Sequence, residues 1–115
     1  MINLKQKELY HWQKENFGIS KDDITRCALG MSEETGELCH HILKGLQGIR
    51  EGVKGLDKAE VADAIADTLI YGIQLMSALN LDAEKEIAKV IGQVLKRNWK
   101  DNKIDGSVGD ISDNG

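Results

Sequence analysis

Two scarcities restrict the fold class of this chain. It contains no proline, and aromatic residues make up 4% of its 115 residues. Leucine, isoleucine, alanine, lysine and glutamate dominate instead, which favours helices over a β-sheet. The two cysteines, Cys27 and Cys39, lack the spacing of metal ligands. They therefore predict a reduced chain in the cytoplasm.

An excess of positive charge is also missing. The formal net charge is −4, and the last fifteen residues, with four aspartates and one lysine, contribute −3 of it. A nucleic-acid polymer binds to a basic face, so we expect no such partner. The N terminus has no apolar signal core, and three acids interrupt the apolar segment 59–81. We therefore expect no membrane span.

Caps and breakers predict four helices in a single domain of residues 1–100. Helices are expected at about 4–17, from after Ser20 to about 44, from after Asp57 to about 79, and from after Asp82 to about 100. The glycine-rich segment between the second and third helices predicts a loop, and residues 101–115 predict a disordered acidic tail. The expected fold is an all-α four-helix bundle. Because its core is modest, dimerisation or tetramerisation would bury more surface.

Helical spacing predicts which face of each middle helix is buried. The second helix has an apolar stripe that consists of Ile24, Cys27, Ala28, Met31, Leu38 and Ile42. The third has a central apolar stripe that consists of Val61, Ile65, Leu69, Gly72, Met76 and Leu79. Glu60, Asp63 and Asp67 follow the spacing i, i+3, i+7. They are expected on the side of the third helix that is opposite its own apolar stripe.

The distribution of charge points to a metal site. No lysine or arginine occurs in 27–43 or 59–82, although these segments contain Glu33, Glu34 and Glu37, and then Glu60, Asp63, Asp67 and Asp82. Ordinary exposed helix faces mix both signs, as the first and fourth helices do. Clustered carboxylates repel one another unless a cation offsets them. Hard divalent ions prefer carboxylate oxygen, so Mg²⁺, with Mn²⁺ as the alternative, and a phosphorylated substrate are predicted.

The same residues resemble a family motif. Met31-Ser32-Glu33-Glu34-Thr35-Gly36-Glu37-Leu38 resembles the E-E-x-x-E signature of the MazG-like, all-α nucleoside triphosphate pyrophosphohydrolases. Glu60-Val61-Ala62-Asp63 resembles the E-x-x-D that follows it, although Asp67-Thr68-Leu69-Ile70-Tyr71 better matches the apolar residues after the family aspartate. This register ranks Asp67 and Asp63 ahead of Glu60, which is alternatively a capping residue.

The resemblance implies an enzyme that converts a nucleoside triphosphate and water into the monophosphate and pyrophosphate, with house-cleaning of non-standard nucleotides as one role. It implies metal binding by Glu34, Glu37, Glu60, Asp63 and Asp67. Glu33 or Glu34 is then the candidate general base. It also implies a homodimer or homotetramer. Residues expected to contact the substrate are Trp12, Lys44, Lys96, Arg97 and Asn98.

Structural roles, without any part in binding or catalysis, remain as alternatives for these residues. Trp12 is alternatively a core side chain, and Lys44, with Arg50 and Lys54, lies in or beside a solvated loop. The basic residues at the end of the fourth helix also complement its dipole. Two other functions stay open. The Glu37-x-x-His40 spacing occurs in di-iron carboxylate bundles, although a second such pair is missing. A non-catalytic helical dimer that binds nucleotides or regulates a partner is the third hypothesis.

Overall fold

Four helices make up the fold. A computed structural model describes residues 2–48 and 55–100. Within these ranges it contains no strand, and its helices are α1 Ile2–Phe17, α2 Asp23–Gln47, α3 Lys58–Ala78 and α4 Ala83–Leu95. The predicted all-α, helical-bundle character is confirmed. The predicted tail 101–115, Arg50 and Lys54 lie outside the described residues.

The helix starts follow the capping residues that the sequence contains. The Asp57 Oδ1 atom accepts hydrogen bonds from the backbone N–H groups of Ala59 and Glu60, at 3.1 and 3.3 Å. Asp82 Oδ1 accepts from the backbone N–H of Lys85 at 3.1 Å. At α2 the N–H of Ser20 donates to Asp23 Oδ2 at 3.0 Å, which is the reciprocal half of a capping box. Asp57 and Asp82 thus cap α3 and α4, as predicted. α2 begins at Asp23 rather than directly after Ser20, and its N-cap residue Asp22 makes no side-chain capping bond.

Two helix ends differ from prediction. α2 continues past Lys44 to Gln47 and ends at Gly48, whose φ of 65° provides a left-handed cap. Gly45 lies inside α2, where the segment that leads into α3 approaches closely: a Cβ at residue 45 would lie 2.9 Å from the Gly55 carbonyl oxygen. α4 ends at Leu95 rather than near residue 100. The N–H of Lys96 donates to the Gln93 carbonyl, a tight turn that terminates the helix.

α2 and α3 form the main interface of the described chain and run antiparallel. Gly30 lies directly beneath the Tyr71 ring, and a Cβ at residue 30 would overlap that ring. The buried side of α3 therefore contains Ala64, Tyr71 and Gln74, on the same side as the acids. The prediction that the apolar stripe of α3 is its buried face is wrong, because Ile65, Leu69 and Leu79 in this stripe are 44%, 61% and 47% exposed.

Gln6 attaches α1 to the turn between α3 and α4. Its side-chain amide donates to Ser77 Oγ at 3.0 Å and to the Leu81 carbonyl at 2.8 Å. Its Oε1 atom accepts from the backbone N–H of Ala83 at 2.8 Å. Gln6 is 7% exposed and Ala83 is fully buried. One polar side chain therefore satisfies three groups at a bend that Asn80 makes with a φ of 58°.

Apolar burial within the single chain is limited. In the two described ranges only three apolar residues are buried: Cys27, Ala64 and Ala83. The apolar stripe of α4 is open, with Ile87, Val90, Ile91 and Val94 from 37% to 53% exposed. No individual described helix has the length and apolar composition of a membrane span, and α3 and α4 meet that description only as a pair bent by 109°. The described chain thus leaves large apolar surfaces uncovered.

Candidate functional site

The acidic residues of α2 and α3 meet across the interface of these two helices. Gly30 beside Tyr71 fixes the register, so Glu34 lies one turn further along α2 and Asp67 one turn back along α3. Glu34 and Asp67 line the same cavity and are both partly buried. Glu33 and Glu37 flank Glu34 on α2. The close packing at Gly30 therefore brings carboxylates from both helices together.

Electrostatic repulsion is concentrated on Glu34. Its pKa is raised above the ordinary value by desolvation first, and then by the charge of Asp67 across the interface. Glu33, Glu37 and Asp63 raise the pKa further, in that order. Four carboxylates thus act on a fifth, and no described lysine or arginine offsets them. The neighbouring Thr68 hydroxyl does not donate to them, since it bonds the Ala64 carbonyl at 3.0 Å.

The carboxylates are the type of ligand that a hard divalent cation prefers, but their side chains do not converge on one point. Carboxylate oxygens are the ligands that Mg²⁺ and Mn²⁺ prefer, and the pKa of Glu34 is raised by desolvation first and then by the four neighbouring carboxylates. Across residues 2–48 and 55–100, however, no three Asp, Glu, His or Cys side chains converge closely enough to hold one ion. The carboxylates must rotate toward one another before they can share a cation.

His41 occupies the other end of the acidic cluster. Its Nε2 atom lies 3.2 Å from Glu37 Oε1, on the same helix, and 3.6 Å from Glu60 Oε2 on α3. The His41 side chain is 10% exposed, and its Nδ1 atom is buried without a hydrogen-bond partner. Glu60 thus contacts a histidine across the interface while Asp57 caps α3 through the Glu60 backbone. The di-iron hypothesis placed His40 beside Glu37, whereas His40 is exposed and α3 and α4 contain no histidine.

An open cavity of about 450 Å³ begins at Glu34 and Asp67 and extends toward the start of α2. Its other lining residues come from α1, α2 and α3 and are Trp12, Gln13, Phe17, Arg26, Cys27, Ile70, Tyr71 and Gln74. The Trp12 and Phe17 rings meet edge to face, with centroids 5.7 Å apart. Trp12 is 52% exposed, so the described chain does not bury it as a core side chain. The volume lies within the roughly 300–1,000 Å³ typical of small-molecule sites.

The remaining predicted substrate contacts lie away from this cavity. Lys44 is in the last turn of α2, and its Nζ atom contacts Gln47 Oε1 at 3.4 Å. Lys96, Arg97 and Asn98 follow the end of α4, and none of the three lines the cavity. The Arg97 Nε atom is buried without a hydrogen-bond partner. None of these four predicted residues lines the cavity.

Most residues that line the cavity were not predicted as site residues, and Arg26, Tyr71 and Gln74 are examples. The signal for two of them is present, because Tyr71 and Gln74 follow Asp67 at i+4 and i+7 and so share its face. Arg26 pairs with Asp23 through Nη1 and Oδ1 at 3.1 Å. Burial raises the pKa of the adjacent Cys27 thiol, with Asp23 adding to the effect and Arg26 opposing it.

No protein-family model, curated protein or solved structure matches this chain.

Proposed function

We propose that this protein is a magnesium-dependent nucleotide pyrophosphohydrolase of the MazG-like type, with its active site between α2 and α3. The observation that supports the proposal is the cluster of five carboxylates centred on Glu34 at the edge of a cavity that also contains Trp12. Clustered carboxylates repel one another and so do not stabilise a helix pair, whereas a cation site requires them as ligands. The E-E-x-x-E pattern of Glu33, Glu34 and Glu37 adds the reaction class.

The carboxylates divide into cation ligands and a general base in the proposed reaction, with Glu33 an auxiliary ligand or the alternative base. Asp67, Asp63 and Glu37 are the ligands for the cation, and Glu60 holds His41 beside Glu37. When bound, the cation neutralises phosphate oxygens and polarises the bond to be broken. Glu34, the acid at the mouth of the cavity, accepts a proton from water as the water oxygen bonds to the α-phosphorus. The bond from that phosphorus to the β-phosphate bridging oxygen breaks, and pyrophosphate leaves.

The proposal includes a homodimer or homotetramer in the cytoplasm. Val90, Ile91 and Val94 on α4, and Ile65 and Leu69 on α3, are exposed apolar side chains, and exposed apolar surface is typical of interaction sites. A second copy would cover them and would also bring its own Lys96–Asn98 segment near a neighbouring active site. We expect Val90→Asp to lower the mass measured by light scattering, and Glu86→Gln on the same helix to leave it unchanged. An unchanged mass for Val90→Asp would refute this interface.

The activity is tested with a panel of ribonucleoside and deoxyribonucleoside triphosphates, each with Mg²⁺ and with EDTA, assayed for pyrophosphate. We expect pyrophosphate and monophosphate in equal amounts from at least one nucleotide with Mg²⁺, and none with EDTA. Orthophosphate and a diphosphate as products would place the cleavage at the wrong bond. A complete panel without pyrophosphate would rule out the enzyme proposal.

A further inference from the structure

His41 lies between an acid of α2 and an acid of α3. Its Nε2 atom is 3.2 Å from Glu37 Oε1 and 3.6 Å from Glu60 Oε2. The six predicted acids of the site are Glu33, Glu34, Glu37, Glu60, Asp63 and Asp67. Within residues 2–48 and 55–100, no side chain other than His41 forms a hydrogen bond or an ion pair with any of them. The single polar partner of the acids is therefore a histidine that lies outside both family motifs.

The burial of His41 is unfavourable for the packing of the two helices. Its side chain is 10% exposed, and its Nδ1 atom is buried without a hydrogen-bond partner in the described chain. A buried polar atom without a partner lowers stability, and an apolar residue of similar size would avoid that cost. Packing alone therefore does not explain a histidine at residue 41, whereas the position of Nε2 between two carboxylates does.

The contact with His41 restrains the Glu37 carboxylate. One of its oxygens, Oε1, faces the imidazole, and Oε2 has no partner in the described chain. An outer partner that holds one carboxylate oxygen leaves the other oxygen to bind a cation, and loss of such a partner typically costs about 10- to 100-fold in cation affinity. Mg²⁺ and Mn²⁺ suit a ligand of one oxygen because their octahedral shells are small. Ca²⁺ has a larger, more flexible shell that often takes both oxygens of one carboxylate.

Resting on the proposed function, we infer that His41 is a positioning residue that holds Glu37 as a ligand of one oxygen and so favours Mg²⁺ and Mn²⁺ over Ca²⁺. It acts through Glu37 and does not itself bind the cation. Glu60 contacts the same Nε2 atom from α3, so the imidazole is restrained by both helices. The proposed reaction needs a divalent cation, and His41 decides which divalent cation the acids accept.

Calorimetry without nucleotide tests the inference apart from hydrolysis. Mn²⁺ and Ca²⁺ are titrated separately into the metal-free full chain, and the ratio of the two affinities is the readout, because a general loss of structure weakens both. We expect His41→Phe, which keeps a ring but has no N–H, to weaken Mn²⁺ binding about tenfold or more and Ca²⁺ binding much less. His41→Leu is a second variant without N–H groups. His41→Gln, whose amide N–H can reach the same carboxylate, should retain most of the preference.

The matched control is the neighbouring histidine. His40 is exposed, and its ring meets that of His41 edge to face, with centroids 5.8 Å apart. His40→Phe makes the same chemical change one residue away and keeps this ring contact. It should bind both ions as the parent does.

Three outcomes would overturn the inference: no Mn²⁺ binding by the parent, an unchanged ratio of affinities in His41→Phe and His41→Leu, or an equal change in His40→Phe. Electron spin resonance of bound Mn²⁺ adds a further readout, since coupling to a directly bound nitrogen would make His41 a ligand and would also overturn it. If the ratio changes as expected but no nucleotide yields pyrophosphate, the role of His41 stands and the proposed reaction fails. Pyrophosphate release with an unchanged ratio would leave the reaction and remove the role of His41.

Discussion

The α2–α3 pair and helix α4 use the same kinds of residue in opposite ways. α2 and α3 approach closely at Gly30 and Tyr71, yet between them they place five interacting carboxylates, none of which forms an ion pair with a described lysine or arginine. α4 mixes lysine and glutamate on its polar side and leaves its apolar side uncovered. The difference teaches that charge of one sign inside a packed pair indicates a ligand site. An uncovered apolar stripe with balanced charges indicates an interface.

The largest effect that would sharpen this comparison is expected at Asp67. Among the charges that raise the pKa of Glu34, that of Asp67 has the largest effect, and both side chains line the cavity. Asp67→Asn should lower the rate of pyrophosphate release about 100-fold or more. Asp63→Asn should cost less, and Glu60→Gln least, since Glu60 acts through His41. The control is Glu8→Gln, in an exposed pair with Lys5 on α1. Activity of Asp67→Asn equal to that of the parent would refute the assignment.

Close approach is expected only in the α2–α3 pair, and two glycines test it. A Cβ at Gly30 would overlap the Tyr71 ring, so Gly30→Ala should lower the free energy of unfolding by about 1–3 kcal/mol. Gly92, in α4, has open space around its Cβ position, so Gly92→Ala should raise it by up to about 1 kcal/mol. Urea denaturation measures both. A loss at Gly92 as large as that at Gly30 would show that α4 is packed as tightly as the pair.

The attachment of α4 to the rest of the chain depends on Gln6. Gln6→Ala removes three hydrogen bonds and leaves the Leu81 carbonyl and the Ala83 N–H without partners. We expect a loss of about 2 kcal/mol in the free energy of unfolding, measured by urea denaturation. Lys7→Ala, on the exposed side of the same helix, should change little. Equal stability of Gln6→Ala and the parent would mean that α1 does not hold the α3–α4 turn.

The smallest expected effect is on stability at different pH values without metal. The folded-state pKa of Glu34 is raised, so the folded chain binds its proton more strongly than the unfolded chain does. This contribution to stability is present below the ordinary glutamate pKa and is lost as pH rises through the raised value. Glu34→Gln should therefore melt at a higher temperature than the parent in EDTA above that window, and the gap should close at lower pH. A gap that is independent of pH would contradict the repulsion.

Much of the fold follows from local sequence signals, whereas the packing does not. Asp57 and Asp82 cap α3 and α4 as their spacing predicts, because an N-cap bond involves only residues close in sequence. The α3 stripe around Leu69 was assigned to the core from its apolar residues alone. The described chain instead packs α3 through Ala64 and Tyr71, since the glycine at residue 30 on another helix decides which face can approach. Periodicity cannot reveal that partner.

The site shows the same division. The sequence indicates the acidic cluster because the acids of α2 and α3 lie in segments without lysine or arginine. The tertiary structure brings Glu34 and Asp67 to one cavity. Gln74 shares a face with Asp67 but is an ordinary polar residue in the sequence. Its burial appears only once the helices are packed. Lys96, Arg97 and Asn98 remain predictions for an assembled oligomer, because they do not line the cavity of the single described chain.

Direct titration with Mn²⁺ tests most simply whether the α2–α3 carboxylates form a cation site. Calorimetry on the metal-free protein should show saturable binding that is lost in Asp67→Asn and retained in Glu8→Gln. Absence of saturable binding, or equal binding by the parent and Asp67→Asn, would contradict the assignment of this cluster as a metal site.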